Sequence, residues 1–258
     1  MSLAFITGTG LYRMACFARG EQRNVTTPYG EATLLEADYA GQTVWFLPRH
    51  GQNHRLPPHL INYRANISAL VQLGVTEVLA VCSVGSLRLS LPPGSLVLMD
   101  QLIDMTWGRA HTTFSDVDAV FHIDFTEPYC LRFSQFVREA ALKQGLDLPL
   151  GGTYICNPGP RLETAAEIRL FQSWQADVVG MTAVPEAQLA REAGLCYALL
   201  AVVANYGAGM AGKLAPGEIS AATASYQGQV EQVITATVDA YIKPERNCDC
   251  AGSRVLDL

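Results

Sequence analysis

Three stretches far apart in the chain carry side chains that could do chemistry together. They are Asn157-Pro158-Gly159-Pro160-Arg161-Leu162-Glu163-Thr164, the amide Asn205 some forty residues later, and Pro48-Arg49-His50-Gly51 far upstream. Between them they supply a carboxylate, an amide and a basic anion clamp. Those groups suffice to hold a purine, a sugar and a phosphate at once.

Each group has an ordinary structural explanation beside the chemical one. Glu163 precedes a helical stretch, where an acid is expected merely as a dipole partner. Asn205 ends an apolar run, and a buried amide needs partners, of which a purine edge is one. Arg49 offers a planar fork of donors suited to phosphate, although adjacent polar residues at a strand end are more often solvated. Asn53, His54, Arg55 and His59 extend this polar loop, and Arg64 is either a further cation or a helix-surface residue. Asp177, facing a turn, and Glu186, at a helix start, are alternative acids. Gly8-Thr9-Gly10 follows a strand. A dinucleotide fingerprint would need a third glycine where Arg13 stands, so the turn suits a simple anion better, or is only a tight turn.

The elements that position these groups can be read from periodicity. Strands are expected at Leu3–Thr7, Thr43–Pro48, Val78–Ser83, Ser95–Gln101, Val178–Thr182 and Cys196–Asn205. Helices are expected at 62–73, 133–144, 164–174, 185–193 and 222–242. Gly74, Gly145 and Gly194 sit where helix-ending glycines belong. Thr164 with Glu167 forms a capping-box pattern. Alternating strands and helices predict a single-domain α/β/α sandwich around a mixed, mostly parallel sheet. It would cover residues 1–243, followed by a polar C-terminal tail at 244–258. On this reading Thr9, Arg49, Ser83, Thr182 and Asn205 all fall at C-terminal strand ends, the edge where open α/β sheets bind ligands.

Bulk properties exclude several classes. The 258 residues are 49% apolar and 16% charged, enough for one large core. A net charge of −6 lacks a nucleic-acid footprint. No apolar run reaches the roughly 18–20 residues of a membrane span; Val75–Val84 is interrupted by Glu77. The N-terminal run lacks a basic signal region, so a cytoplasmic location is expected. Seven cysteines, mostly in apolar segments, suggest reduced thiols. Cys248-Asp249-Cys250 stands apart in the tail. It could close a small disulfide or act as a redox or metal-trapping pair. With no second Cys/His pair close by in sequence, a mobile tail with two inert thiols and no metal is the expectation.

In combination the segments are specific. Thr7-Gly8-Thr9-Gly10-Leu11, Thr27-Pro28-Tyr29-Gly30, Pro48-Arg49-His50-Gly51, Asn62-Tyr63-Arg64-Ala65-Asn66, Val84-Gly85-Ser86-Leu87, His122-Ile123-Asp124-Phe125, Gly159 to Thr164 and Gly180-Met181-Thr182-Ala183-Val184-Pro185-Glu186 resemble the trimeric purine nucleoside phosphorylases. The likeness is strongest to the branch acting on methylthioadenosine and methylthioinosine. It covers Gly8 to about Tyr241. It implies that Thr9, Arg49, His50, the backbone around Ser83, and Thr182 bind phosphate. Met181 would lie against the ribose, and Leu162, Glu163 and Asn205 would surround the base, with Asn205, Glu163 and His50 the catalytic set. His122 would arrive from a neighbouring subunit of a homotrimer to close the 5′ end, where Ile219, Ala222 and Thr223 are further candidates. No metal or cofactor is implied; inorganic phosphate is a co-substrate. Some thermophilic relatives carry a C-terminal Cys-x-Cys of redox type, and the sequence leaves the state of this pair open.

The departures from the pattern inform the substrate. Adenine-specific relatives have an Asp-x-Asp pair where this chain has Asn205-Tyr206-Gly207, and a Ser in place of Glu163. Glu163 with Asn205 matches the 6-oxopurine pattern. A 6-oxopurine carries N1–H, a donor for a carboxylate, whereas adenine N1 is a lone pair. A mismatched buried polar contact costs about 1–3 kcal/mol. The segment from Gly207 to Ile219 contains no histidine, and its apolar composition suits a 5′-methylthio group better than a hydroxyl. Thr7 in place of a usual glycine, and Cys82 in place of a common Thr or Asn, both lie near the phosphate. The expected activity is phosphorolysis of a 5′-methylthio-purine nucleoside, methylthioinosine ahead of methylthioadenosine. A methylthioadenosine-specific or a general 6-oxopurine phosphorylase is the alternative. A nucleosidase is opposed by Met181-Thr182-Ala183-Val184, where related hydrolases have Met-Glu-x-Glu. A binding protein without turnover and a nicotinamide oxidoreductase are more distant readings.

Overall fold

The computed structural model describes residues 2–8, 20–39, 41–51, 54–109, 113–115, 120–212, 217–241 and 245–257; the side chains at 218–220, 223–224 and 256–257 are also outside that description. Thr9, Gly10, Leu11, Arg13, Cys16 and Asn53 therefore lie outside the described residues.

The centre of the sheet consists of β1 (Ser2–Thr7), β4 (Gln42–Pro48), β5 (Val75–Ser86) and β11 (Cys196–Tyr206), all parallel. These strands read as continuous apolar runs because both of their faces are covered. The two-residue alternation survives in the packing. Ala4 and Ile6 of β1 and Tyr197, Leu199, Ala201 and Val203 of β11 enter one core. Leu3 and Phe5, with Cys196, Ala198, Leu200 and Val202, enter the other. Helices α1 (Tyr63–Gln72) and α4 (Ala183–Glu192) cover the first face through Ile67, Leu70, Ala187 and Ala190. Helices α2 (Leu131–Lys143) and α5 (Glu218–Ala240) cover the second through Phe133, Val137, Val230, Val233 and Ile234. A third, smaller core gathers Ile168 and Phe171 of α3 (Ala165–Ser173) with Leu87, Ile155 and Val179.

Additional strands complete a ten-stranded mixed sheet. β2 (Glu21–Thr27) and β3 (Gly30–Tyr39) add an antiparallel hairpin beside β4; β10 (Val178–Gly180), β9 (Thr153–Cys156) and β7 (Gln101–Asp104) extend the other side; β6 (Leu96–Leu98) lies antiparallel to β11. The strand expected at Ser95–Gln101 is therefore two, because Leu96–Leu98 pairs with β11 and the chain then turns to place Gln101–Asp104 on β9. Among the described residues no helix is long and apolar enough to cross a membrane.

The C-terminal segment is not a detached tail. A 3-10 turn at Asp249–Gly252 buries Cys250, and β12 (Arg254–Asp257) pairs antiparallel with β8 (Phe121–Ile123). Apolar anchoring through Cys250 and the packing of Cys248 on the second core replace the mobility expected from composition.

Candidate active site

A cavity of about 500 Å³ opens at the C-terminal edge of the central strands. Gly8, Arg49, His50, Cys82, Ser83, Gly85, Leu162, Glu163, Met181, Thr182 and Asn205 all contribute to its wall. The sheet thus collects in one place residues from six separate stretches of the sequence.

One end of the cavity is built for an anion. Arg49 directly follows β4, its amide held by the Thr7 carbonyl at 3.0 Å. Its side chain is fully buried and paired two-pronged with Glu186, Nε to Oε2 and Nη2 to Oε1 both at 2.7 Å; Nη1 donates to the Val81 carbonyl at 3.0 Å. Tyr197 donates a further 2.8 Å bond to Glu186. Burial opposes the Arg49 charge, but the facing groups, Glu186 among them, outweigh it and hold the guanidinium well above its ordinary pKa. Glu186 is therefore placed as the ion-pair partner of Arg49 rather than as an alternative catalytic acid.

His50 gives Nδ1 to the Leu56 carbonyl at 2.8 Å. A carbonyl only accepts, so Nδ1 carries the proton and Nε2 of the neutral ring presents a lone pair near Gly8. Burial pushes the imidazole down to about 4, with Arg49 and His54 acting the same way against the Leu56 bond. Ser83 shares a 3.1 Å bond with Tyr226, and the Thr182 hydroxyl lies 3.5 Å from Cys82 Sγ. Thr182 is the N-cap residue of α4 but its side chain makes no cap bond, which leaves that hydroxyl aimed at the cavity wall. Ser83 is not at a strand end: β5 runs on to Ser86 because its last residues pair with β10.

The other end suits a heterocyclic base. Asn205 opposes Gly85, whereas Val203 opposes Val84, so Ala204 is an extra residue in β11. Such a bulge re-aims the following side chain, and here it turns the amide into the cavity. Asn205 Nδ2 donates to the Tyr206 carbonyl at 2.7 Å, leaving its second N–H. Glu163 faces the same wall, its Oε1 accepting from Asn157 Nδ2 at 3.2 Å. The following residue starts α3 as expected: the Thr164 hydroxyl accepts from Glu167 N at 3.1 Å, and Glu167 accepts from Thr164 N at 2.7 Å.

Between the two ends lies Met181. Gly159, at a φ of +59°, leaves room for its thioether, and a side chain there would overlap the sulfur. Gly180 likewise admits the Tyr154 ring, whose hydroxyl accepts from Thr182 N at 3.4 Å. A residue not singled out by the sequence organises this segment. Arg109 donates to the carbonyls of Met181 at 2.5 Å, Pro158 at 3.1 Å and Val184, tying the base loop to the start of α4. Asn157 is the second such residue; its place in the informative octapeptide was its only signal.

Other candidates are placed elsewhere. Arg64 stacks over Tyr29, 4.4 Å from the ring centroid, outside this cavity, in keeping with a helix-surface role. Asp177 accepts from Thr153 N and pairs with Arg88. His122 is exposed on β8 and does not line the cavity. Ala222 packs on the second core rather than on the cavity wall. The side chains of Ile219 and Thr223 lie outside the described residues. Leu162 lines the rim and is 46% exposed.

The chain is similar to known proteins along most of its length. The model of the phosphorylase superfamily matches residues 2–239. A probable 6-oxopurine nucleoside phosphorylase of Dictyoglomus turgidum is 45% identical, covering 98% of this chain and 96% of that protein. A probable S-methyl-5′-thioinosine phosphorylase of Thermodesulfovibrio yellowstonii is 46% identical over 81% of this chain and 79% of its own. Among solved structures, a mutant adenosine/methylthioadenosine phosphorylase of Schistosoma mansoni, in complex with methylthioadenosine, superposes with a TM-score of 0.90 at 31% identity, covering 99% of both chains.

Proposed function

This chain belongs to the phosphorylase superfamily, and on that premise we propose that it cleaves 5′-methylthio-purine nucleosides with phosphate, methylthioinosine ahead of methylthioadenosine. The products are the free purine and 5-methylthioribose 1-phosphate. The observation that carries this reading is that Glu163 and Asn205 line the same cavity as Gly8, Arg49, His50, Ser83 and Thr182.

The proposed reaction follows from these groups. The bond between C1′ and N9 stretches first, and its electron pair passes into the purine. Asn205 gives its second N–H to N7 as charge develops there, while Glu163 accepts from N1–H of a 6-oxopurine. The sugar becomes oxocarbenium-like, with Met181 against it. A phosphate oxygen, held by the Thr182 and Ser83 region and by Gly8, then forms the new bond to C1′, and the departing purine anion takes up a proton from phosphate or solvent. Arg49 contributes through its remaining N–H groups, since Glu186 already balances its charge. Catalysis in this scheme is positioning and electrostatics, with no covalent enzyme intermediate and no metal or cofactor.

A second reading has its own support. Relatives named 6-oxopurine nucleoside phosphorylase, including that of Pyrococcus furiosus at 42% identity over 96% of each chain, favour activity on ordinary 6-oxopurine nucleosides as well. The 5′ pocket separates the two readings. A homotrimer fits both. His122 is exposed away from its own cavity, and Leu60 and Trp107 expose large apolar surface, 60% and 78% respectively.

The test is product identification after incubation with methylthioinosine. Formation of 5-methylthioribose 1-phosphate, strictly dependent on added phosphate, is the expected result. Release of hypoxanthine together with free methylthioribose would mean hydrolysis instead. Binding without release of base would mean a nucleoside-binding protein.

A further inference from the structure

Away from the cavity, four cysteines from three distant parts of the chain meet. Cys130 precedes α2, Cys196 opens β11, and Cys248 and Cys250 flank Asp249 at the start of the C-terminal 3-10 turn. Their sulfurs all lie within 4.8 Å of one another, with Cys196 and Cys248 at 3.4 Å. Three of the four are buried. The sequence expectation of two inert tail thiols considered only near neighbours; the fold supplies the second pair.

We propose that Cys130, Cys196, Cys248 and Cys250 form a tetrathiolate site for one zinc ion that clasps the C-terminal segment to the body of the protein. A tetrahedral site with Zn–S of about 2.3 Å places its sulfurs about 3.8 Å apart, close to the separations here. A complete all-thiolate set with no open position is a structural rather than a catalytic arrangement. Binding is an exchange of protons for metal: up to four S–H bonds break, four Zn–S bonds form, the protons pass to solvent and no electrons move.

The surroundings suit the resulting charge. Zinc with four thiolates carries a net charge of −2. Arg191 Nη1 already donates to Cys250 Sγ at 3.2 Å, and Arg132 lines the same cavity as Cys248 and Cys250. Arg132 is largely committed to Glu77, which leaves Arg191 as the main counter-charge. A second cavity, lined by Asp124, Glu127, Arg132 and the cysteines of the tail among others, gives an ion a way in. The clasp has a structural consequence. It fixes the chain just before β12, the strand that pairs with β8, where Leu256 stands opposite His122.

The experiment uses the full chain purified under reducing conditions without chelator, and reads metal content after exchange with zinc and desalting. Near-stoichiometric zinc, lost to background in Cys248→Ser/Cys250→Ser but kept in Cys156→Ser, is the expected result. Exchange with cobalt gives an independent reading that needs no variant: a tetrathiolate site produces the intense sulfur-to-cobalt and ligand-field bands of a tetrahedral complex. Thiol titration in denaturant with chelator, on chain purified without reductant, completes the set. All seven cysteines should react. Background zinc with no cobalt spectrum would overturn the proposal. So would a titration in which only Cys16, Cys82 and Cys156 react, because the other four would then be joined as disulfides.

Discussion

Arg49 and Glu186, 137 residues apart, meet in a fully buried, two-pronged ion pair beneath the anion end of the cavity, with 2.7 Å at each prong. The pair keeps a cation at the site without leaving its charge unbalanced. Removing one member of a buried pair typically costs about 3–5 kcal/mol, because the other charge is left uncompensated. Glu186→Ala is therefore expected to destabilise the protein by that amount in denaturant unfolding. A loss below about 1 kcal/mol would show that water or another group compensates Arg49.

The neutral state of His50 leads to a pH dependence. Burial lowers its pKa to about 4 in the folded protein, against 6.5 for the ordinary residue. Between those values the unfolded chain binds a proton that the folded chain does not, so this group's contribution to stability is full above about pH 6.5 and is lost as the pH falls toward 4. Urea unfolding at pH 7 and pH 5 should show a smaller loss on acidification for His50→Gln than for the parent. Equal losses would mean that His50 is protonated in the folded state.

Arg109 bridges Met181, Pro158 and Val184 through their carbonyls. Small misplacements of groups that position a substrate cost up to about a hundredfold in rate. Arg109→Ala should lower kcat/KM by about tenfold to a hundredfold. Unchanged kinetics in a folded variant would show that the loop keeps its shape without the arginine.

Much of this could be read in the sequence, for identifiable reasons. The central strands are buried on both faces, so their apolar runs are unbroken and a polar residue at their ends stands out. Arg49 and Asn205 are visible on that ground. The Thr164–Glu167 capping box was legible because its bonds are local. The hairpin of β2 and β3 was not, since most of Glu21–Thr27 is exposed and lacks alternation. Other features depend on tertiary contact alone. The bulge at Ala204, the Glu186 partner of Arg49 and the meeting of Cys130 and Cys196 with the tail cysteines have no local signature. Ser83 illustrates the opposite error: β5 outlasts its apolar run because β10 offers it a partner.

The recognition of the base is the central claim, and it rests on Glu163 held by Asn157 and on Asn205 aimed by the bulge. The most direct test is kcat/KM for methylthioinosine and methylthioadenosine at saturating phosphate, in the parent and in Glu163→Gln. The account predicts that the parent favours methylthioinosine by about tenfold to a hundredfold, the worth of one matched buried polar contact, and that Glu163→Gln largely abolishes that ratio. A parent that favours methylthioadenosine, or a ratio unmoved by the substitution, would contradict it.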